Sequence, residues 1–348
     1  MAVMLWIRAA FYVNSAPEGI AVAGMTVGGA PLFPAKARAR GLSRAPLAPI
    51  SLWMVADFPS LLRLARPAQW VKNGFVIAPL FFTPGAMNAH NVGLVAAAVV
   101  AFSLLASAIY VFNDWCDREA DRLHPAKKTR PIASGAVAPA AALVWGAALL
   151  GAGAALALLA LPLPAALIAL AYAAMATAYS ARLKHVAILD VLIVAAGFVL
   201  RIEVGSAAIE ITPTVWILVC TFLLALFLAL AKRRDDLVKL VAGDTHRPAL
   251  AGYNLQFVDT AVGMVLAALL VSYLIYTTDS AVIARFHTDK LYLTAPFVAA
   301  GVLRYLQIAL VEQRSGSPTD LALTDRFLIL TIFGWVATFA VLLYGSRL

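Results

Sequence analysis

Residues 91–112 read NVGLVAAAVVAFSLLASAIYVF, an apolar run with no charged side chain, and residues 113–135 read NDWCDREADRLHPAKKTRPIASG, where acids and bases crowd together. A second apolar run, AVAPAAALVWGAALLGAGAALALLA, follows at 136–160. A hydrocarbon layer about 30 Å thick is crossed by about 20 apolar residues in a helix. Lipid offers the backbone no hydrogen-bond partner, so each crossing has to satisfy its own peptide groups. A β-barrel strand alternates apolar and polar residues, and these continuous runs do not. The stretch 91–160 therefore reads as two membrane helices joined by a charged knot.

The pattern repeats along the 348 residues, of which 63% are hydrophobic and 13% charged. Nine spans are predicted, near 70–87, 91–112, 138–160, 162–180, 188–209, 214–231, 257–278, 291–311 and 327–345. The fold class is an all-α polytopic membrane bundle. A net charge of +9 would suggest nucleic acid in a soluble chain, but here its distribution encodes topology. Arg118, Arg122, Lys127, Lys128 and Arg130 share one connection, Arg182 and Lys184 the second after it, then Lys232, Arg233, Arg234 and Lys239, then Arg314 and Arg326. The positive-inside rule puts these connections and the N-terminus in the cytoplasm and the C-terminus outside, in a plasma (inner) membrane. Cys116 falls in a cytoplasmic loop and Cys220 inside a span, which argues against a disulfide.

Residues 1–53 mix short apolar pieces with Pro, Gly and Arg, and read as a disordered extension or a misassigned start, with Met54 a plausible beginning. DFPSLLRLARPAQWVKN, at 57–73, reads as an interfacial helix that Pro67 breaks into the first span, with Trp70 at headgroup depth. Residues 54–348 form one transmembrane domain.

If 113–122 continues the preceding helix, Asn113, Asp114, Asp117 and Asp121 lie within about 100° of arc. Carboxylates about 6 Å apart repel by roughly 3 kcal/mol at an effective dielectric near 20. A surface loop whose acids pair with Arg118, Arg122 and Lys127 would relieve this only weakly. A divalent cation relieves it better, and oxygen-only ligands favour Mg²⁺, which shares its coordination with substrate phosphates. Lys127, Lys128 and Arg130 follow within a turn or two. Acids for a metal beside bases for phosphate are the layout of a diphosphate site.

The motif NDxxDxxxD at Asn113, Asp114, Asp117 and Asp121, followed by RPIASG at 130–135, resembles the first signature of the UbiA-type prenyltransferase superfamily. Its members are nine-helix membrane enzymes that use Mg²⁺ to bind a diphosphate donor. The resemblance implies that Asn113, Asp117 and Asp121 are metal-side residues, with Asp114 close by. Of the superfamily's second acidic pair, DxxxD, Asp190 is present, but Val194 stands at the second position. Asp117, Asp121 and Asp190 are the catalytic candidates. RPAQWVKNGFVIAPLFF, LKHVAILDVLIVAAGFVLR, AKRRDDL, LRY and LTDRFLIL together resemble one branch, the decaprenyl-phosphate phosphoribosyltransferases. That branch implies 5-phosphoribosyl 1-diphosphate as donor and a polyprenyl phosphate as acceptor, with a product feeding cell-wall synthesis.

Lys72, Asn73, Lys127, Arg130, Tyr179, Lys184, Arg201 and Lys232 are the substrate-binding candidates. Arg201 lies on the face of Asp190, about 16 Å deeper. At that depth it either meets a phosphate or pairs with Glu203 or a helix carbonyl. Lysines and arginines at span ends commonly snorkel, which is the bland account of Arg233 and Arg234. The acceptor is already an anion, so the reaction requires no strong base, and His185 reads as a helix-end residue. Two rivals stand beside this transferase: an aromatic prenyltransferase using a prenyl diphosphate, and an anion transporter binding through Arg201 and Arg304. No nucleic-acid partner is expected, and self-association into a homo-oligomer stays open.

Overall fold

The computed structural model describes residues 57–83, 85–125, 127–241, 252–312, 321 and 324–344. The predictions for 1–53 and Met54 lie outside them. Among the described residues every regular element is helical. The order is α1 (Phe58–Ala65), a 3₁₀ helix (Pro67–Ile77), α2 (Ala78–Phe81), α3 (Ala89–Cys116), α4 (Arg118–Leu123), α5 (Pro139–Ala160), α6 (Leu163–Ala181), α7 (Leu189–Ala208), α8 (Val215–Val241), α9 (Leu255–Thr278), α10 (Ser280–Phe286), α11 (Ala295–Leu306) and α12 (Arg326–Tyr344).

Eight helical stretches among the described residues are long and apolar enough to cross a membrane: α3, α5, α6, α7, α8, α9, Leu291–Val311 around α11, and α12. The first predicted span, 70–87, is built differently. Eleven residues of 3₁₀ helix lead into the four-residue α2. At about 2.0 Å per 3₁₀ residue and 1.5 Å per α residue, that short segment still covers about 28 Å. Pro79 sits in the first turn of α2, where its missing N–H costs no bond.

In lipid, helices gain little from hiding apolar surface, so close packing of small side chains draws them together. The α3–α5–α6 interface follows that rule: Ala98, Ala101, Ala157, Ala165, Ala166 and Ala169 are all fully buried. A Cβ on Gly153 would sit 3.0 Å from the Leu105 backbone nitrogen, which shows how close α5 lies to α3. The other half packs around Phe227, Leu230, Val258, Val262 and Ile308. Polar side chains cap the helix starts: Asn88 accepts from Asn91 N–H, Asn254 from Phe257 N–H, and Asp325 from Phe327 and Leu328 N–H. Arg304 grips Asp325 at 3.2 and 2.6 Å, tying α11 to the start of α12 and holding that carboxyl below the usual carboxylate range.

One contact fixes the depth of the 3₁₀ helix. Gly205 of α7 faces Val76 so closely that a Cβ there would lie 2.0 Å from the Val76 carbonyl oxygen. One turn earlier on each element stand Arg201 and Asn73, side chains of the site.

Candidate active site

The charged knot is not one continuous helix. α3 ends at Cys116, Asp117 takes φ −90° and ψ 0°, and α4 starts at Arg118. The single arc predicted for four oxygen ligands therefore divides into two pairs, each converging on a cation. Lys184 Nζ contacts Asn113 Oδ1 at 3.2 Å and Asp117 Oδ1 at 2.5 Å, while Asn113 Nδ2 donates to Asp117 Oδ2 at 3.1 Å. Arg130 Nη1 contacts Asp114 Oδ1 at 3.1 Å and Asp121 Oδ2 at 2.7 Å, with Lys127 Nζ 3.9 Å from Asp121. Of the local pairing weighed from sequence, Lys127 does reach Asp121, while Arg118 and Arg122 turn to Glu119 rather than to the three aspartates. Asp114 and Asp121 are each only 2% exposed. Such carboxylates persist because guanidinium groups meet them; losing one partner would leave a buried charge uncompensated.

Arg66 completes the knot and carried no site role in the sequence reading. It ends α1 in the left-handed region at φ 52° and places Nη2 2.5 Å from Asp114 Oδ1, with its guanidinium 5.3 Å from the Tyr110 ring. Its position before Pro67 was the available signal, since the residue before a proline is disfavoured in the α region and the helix ends there.

Lys184 belongs to a short 3₁₀ turn, Leu183–His185, that leads into α7. Just beyond it, Ile188 adopts φ 70°, a strained conformation for a β-branched residue. Tyr253 holds it there: its hydroxyl accepts from Ile188 N–H at 2.6 Å and donates to Asp190 Oδ1 at 2.5 Å. Asp190 is fully buried, and its other oxygen takes Arg233 Nε at 2.7 Å. Arg233 also reaches Asp236 at 3.3 Å, and Tyr179 lies in the fields of Arg233, Asp190 and Asp117. Arg234 meets Asp259 at 2.6 Å. Arg233 and Arg234 are thus ion-paired and largely buried rather than snorkelling. Lys232 and His185 are exposed.

Tyr253→Phe removes both bonds, and a loss of about 1–3 kcal/mol is expected from the stranded Asp190 oxygen. A lower melting temperature in detergent, with the Lys184 turn loosened, is the measurement. Burial and the bond to Asp190 push the Tyr253 hydroxyl up to about 12. An acid raised in this way stabilises the fold fully below its ordinary value near 10. That contribution should fade as pH climbs from about 10 through about 12, and Tyr253→Phe should flatten this alkaline limb.

Deeper in the bundle, Arg201 is 5% exposed. Its Nε donates to Asn73 Oδ1 at 3.0 Å, Nη1 to the Gly197 carbonyl at 2.7 Å, and Nη2 to the Tyr172 hydroxyl at 3.1 Å. The rings of Phe102, Tyr172 and Phe198 lie 4.9–5.1 Å from its guanidinium carbon. Glu203 is not among these partners. Asn73 is itself fixed by Ser103 at 2.9 Å. Lys72, beside it, lies in the fields of Arg66 and Arg201.

No three His, Cys, Asp or Glu side chains gather around one point among the described residues. A Mg²⁺ ion does not require that, since one or two carboxylates with waters and substrate phosphates suffice. The oxygen pair Asn113–Asp117 fits such an ion: both atoms already point at one positive charge, the Lys184 ammonium. Asp114 and Asp121 form a second oxygen pair of the same kind around Arg130.

A polytopic helical bundle with acids and bases interleaved at one end defines a class of membrane transferase. The chain belongs to the UbiA prenyltransferase family, whose model matches residues 75–328. It is 32% identical over 304 residues to the decaprenyl-phosphate phosphoribosyltransferase of Mycolicibacterium smegmatis, covering 82% of this chain and 93% of that protein. The Mycobacterium tuberculosis protein of the same name is 33% identical over 285 residues, covering 80% and 92%. A solved UbiA homolog from Archaeoglobus fulgidus, bound to GPP and Mg²⁺, superposes with a TM-score of 0.58 at 21% identity, covering 81% of this chain and 99% of that one. That last likeness establishes the fold.

Proposed function

We propose that this chain transfers 5-phosphoribose from 5-phosphoribosyl 1-diphosphate to a polyprenyl phosphate. The observation that carries the reading is the interleaving of Asp114, Asp117 and Asp121 with Arg66, Arg130 and Lys184 at one rim. A site of only one sign would suit either a metal or an anion. Alternating signs suit a ligand that brings both, a metal-bound diphosphate.

In the reaction the bond between ribose C1 and the α-phosphate oxygen breaks, and the diphosphate leaves with the electron pair. An oxygen of the lipid phosphate forms the new bond to C1. Mg²⁺, when bound at Asn113–Asp117, supplies positive charge to the leaving diphosphate. Lys184, Arg130 and Lys127 bind that diphosphate as its charge grows, and their fixed positions spare the reaction a reorganisation cost. The acceptor arrives as an anion, so no side chain has to remove a proton from it. Asp190, its two oxygens taken by Tyr253 and Arg233, acts by positioning: through the Ile188 turn it holds Lys184 in place. Tyr179 stands between the two clusters as a substrate contact. The basic connections support an orientation with this end of the bundle on the cytoplasmic side of a plasma membrane.

Membranes holding the full chain, incubated with labelled phosphoribosyl diphosphate, Mg²⁺ and polyprenyl phosphate, should yield labelled lipid, and a chelator should abolish it. The GPP-bound fold neighbour keeps a prenyl-diphosphate donor in view. Label that stays aqueous while a prenyl diphosphate alkylates an aromatic acid would replace this reading with an aromatic prenyltransferase. Uptake into vesicles without a new covalent product would replace it with a transporter.

A further inference from the structure

α1 is apolar on both sides. At 100° per residue, Ser60, Leu61, Leu64 and Ala65 fill one arc of the helix, and Phe58, Pro59, Leu62 and Arg63 fill the other. The first arc faces inward: Ser60, Leu64 and Ala65 are buried. The second is open among the described residues, with Phe58 68% and Leu62 43% exposed. On a helix that faces water the open arc would be polar. Here only Arg63, at its edge, carries a charge. At eight residues α1 is also too short to be stable alone, so it depends on the surfaces that its two arcs meet.

The place of α1 in the chain says what covers the open arc. Arg66 and Pro67 turn the chain from α1 directly into the 3₁₀ helix that begins the first crossing, so α1 lies at the level where the crossing starts. Exposed apolar side chains, Trp70, Ile77 and Phe81, continue along that crossing. Trp70 is pinned at its start, donating to Ser107 Oγ at 2.8 Å, while Ser107 donates to the Ala65 carbonyl at 2.8 Å. A short helix at this level, with an apolar arc and a basic edge, suits a membrane interface.

The buried arc connects that interface to the knot. Leu64 and Ala65 share one apolar cluster with Ile132 and Val137, in the loop that follows Arg130. Arg66, which ends α1, and Arg130 are the two guanidinium groups that meet Asp114, at 2.5 and 3.1 Å. The seat of α1 therefore bears on both, on one through the helix end and on the other through the loop packed beneath it.

We infer that α1 docks through Phe58, Leu62 and Arg63 on the lipid surface at the knot's end of the bundle, and that this docking sets Arg66 and Arg130 on Asp114. Phe58 and Leu62 are positioning residues that act through α1. The docking stands without the transferase reading; only its effect on rate rests on that reading.

The test uses the full chain in vesicles of phosphatidylcholine with phosphatidylglycerol. A spin label on Leu62→Cys, with Cys116→Ser and Cys220→Ser, should be reached by oxygen, which dissolves in lipid, and not by a water-soluble nickel chelate. A label open to the chelate overturns the docking. So does a label shielded from both reagents, which would mean that another part of the chain covers the arc. Phe58→Ser with Leu62→Ser should lower phosphoribosyl transfer by about tenfold or more, as misplaced site groups do. The exchange Phe58→Leu with Leu62→Phe keeps the arc apolar and should restore the rate. Leu158→Ser with Leu159→Ser changes an equally open pair at the far end of α5 and should leave the rate unchanged. A serine pair on α1 that works as well as wild type, no recovery in the exchange, or an equal loss in the α5 pair would overturn the coupling to the knot. An immersed label on a chain that transfers no phosphoribose would sink the transferase reading and leave the docking standing.

Discussion

Asp117→Asn is expected to lower phosphoribosyl transfer by about 10²–10³-fold while leaving a folded protein, because it removes charge where the leaving diphosphate is stabilised. Asp117 suits the test because its side chain is 29% exposed and the change affects its ion pair with Lys184 and its bond from Asn113 rather than a buried charge. Two mechanisms would produce a loss of rate. If Asp117 merely anchors Lys184, the variant needs no more Mg²⁺ than the wild type, and Lys184→Met reproduces its defect. If Asp117 is a metal ligand together with Asn113, the Mg²⁺ concentration for half-maximal rate rises as well, and excess Mg²⁺ recovers part of the activity. The second outcome is the expected one. Asp121→Asn should be as damaging to rate but also less stable, since Asp121 is buried and Arg130 would keep only Asp114. Unchanged turnover and unchanged metal dependence in both variants would remove the basis for a metal-bound diphosphate at this rim.

Much of this architecture is legible in the chain itself, and the exceptions have physical causes. Runs such as 91–112 are uniformly apolar, and in lipid a uniformly apolar run has one solution, a helix. Residue counting reads the first span, 70–87, as one more helix of that kind; it does not register the largely 3₁₀ geometry, which covers more distance per residue. The knot was visible as a crowd of charges, but its internal pairing was not. Helical projection assumed a regular turn at Asp117, where the backbone leaves the α region and swings Asp121 toward Arg130. Arg66, Tyr253 and Arg233 were overlooked for another reason. They reach the site across 48, 63 and 43 positions of sequence respectively, by contacts that no local spacing records. Arg201 could be located by its expense at membrane depth, though the amide, carbonyl and phenol that hold it could not.

Gly205→Ala is expected to disable the protein at a position that touches no substrate. Alanine is ordinarily the better helix residue, worth about 1 kcal/mol over glycine in a helix interior. Here the new Cβ would lie 2.0 Å from the Val76 carbonyl oxygen, 2.9 Å from its carbon and 3.2 Å from its Cα. All three are backbone atoms, so no rotamer change relieves the clash, and the 3₁₀ helix itself has to move. Overpacking of this kind costs typically about 1–3 kcal/mol, and more where the backbone cannot yield. The displacement also acts on the site. Asn73 and Arg201 face each other one turn away across the same interface, joined at 3.0 Å, and a shift of an ångström breaks that bond. Gly205→Ala should therefore lower the melting temperature by several degrees and, if Arg201 contacts a substrate as expected from sequence, raise the KM for that substrate. Gly263→Ala supplies the control, because a Cβ there meets nothing within 4 Å and should leave stability at or above the wild-type value. Equal stability and activity for Gly205→Ala and wild type would mean that the 3₁₀ helix is not seated against α7, and that Asn73 and Arg201 are not held together by the fold.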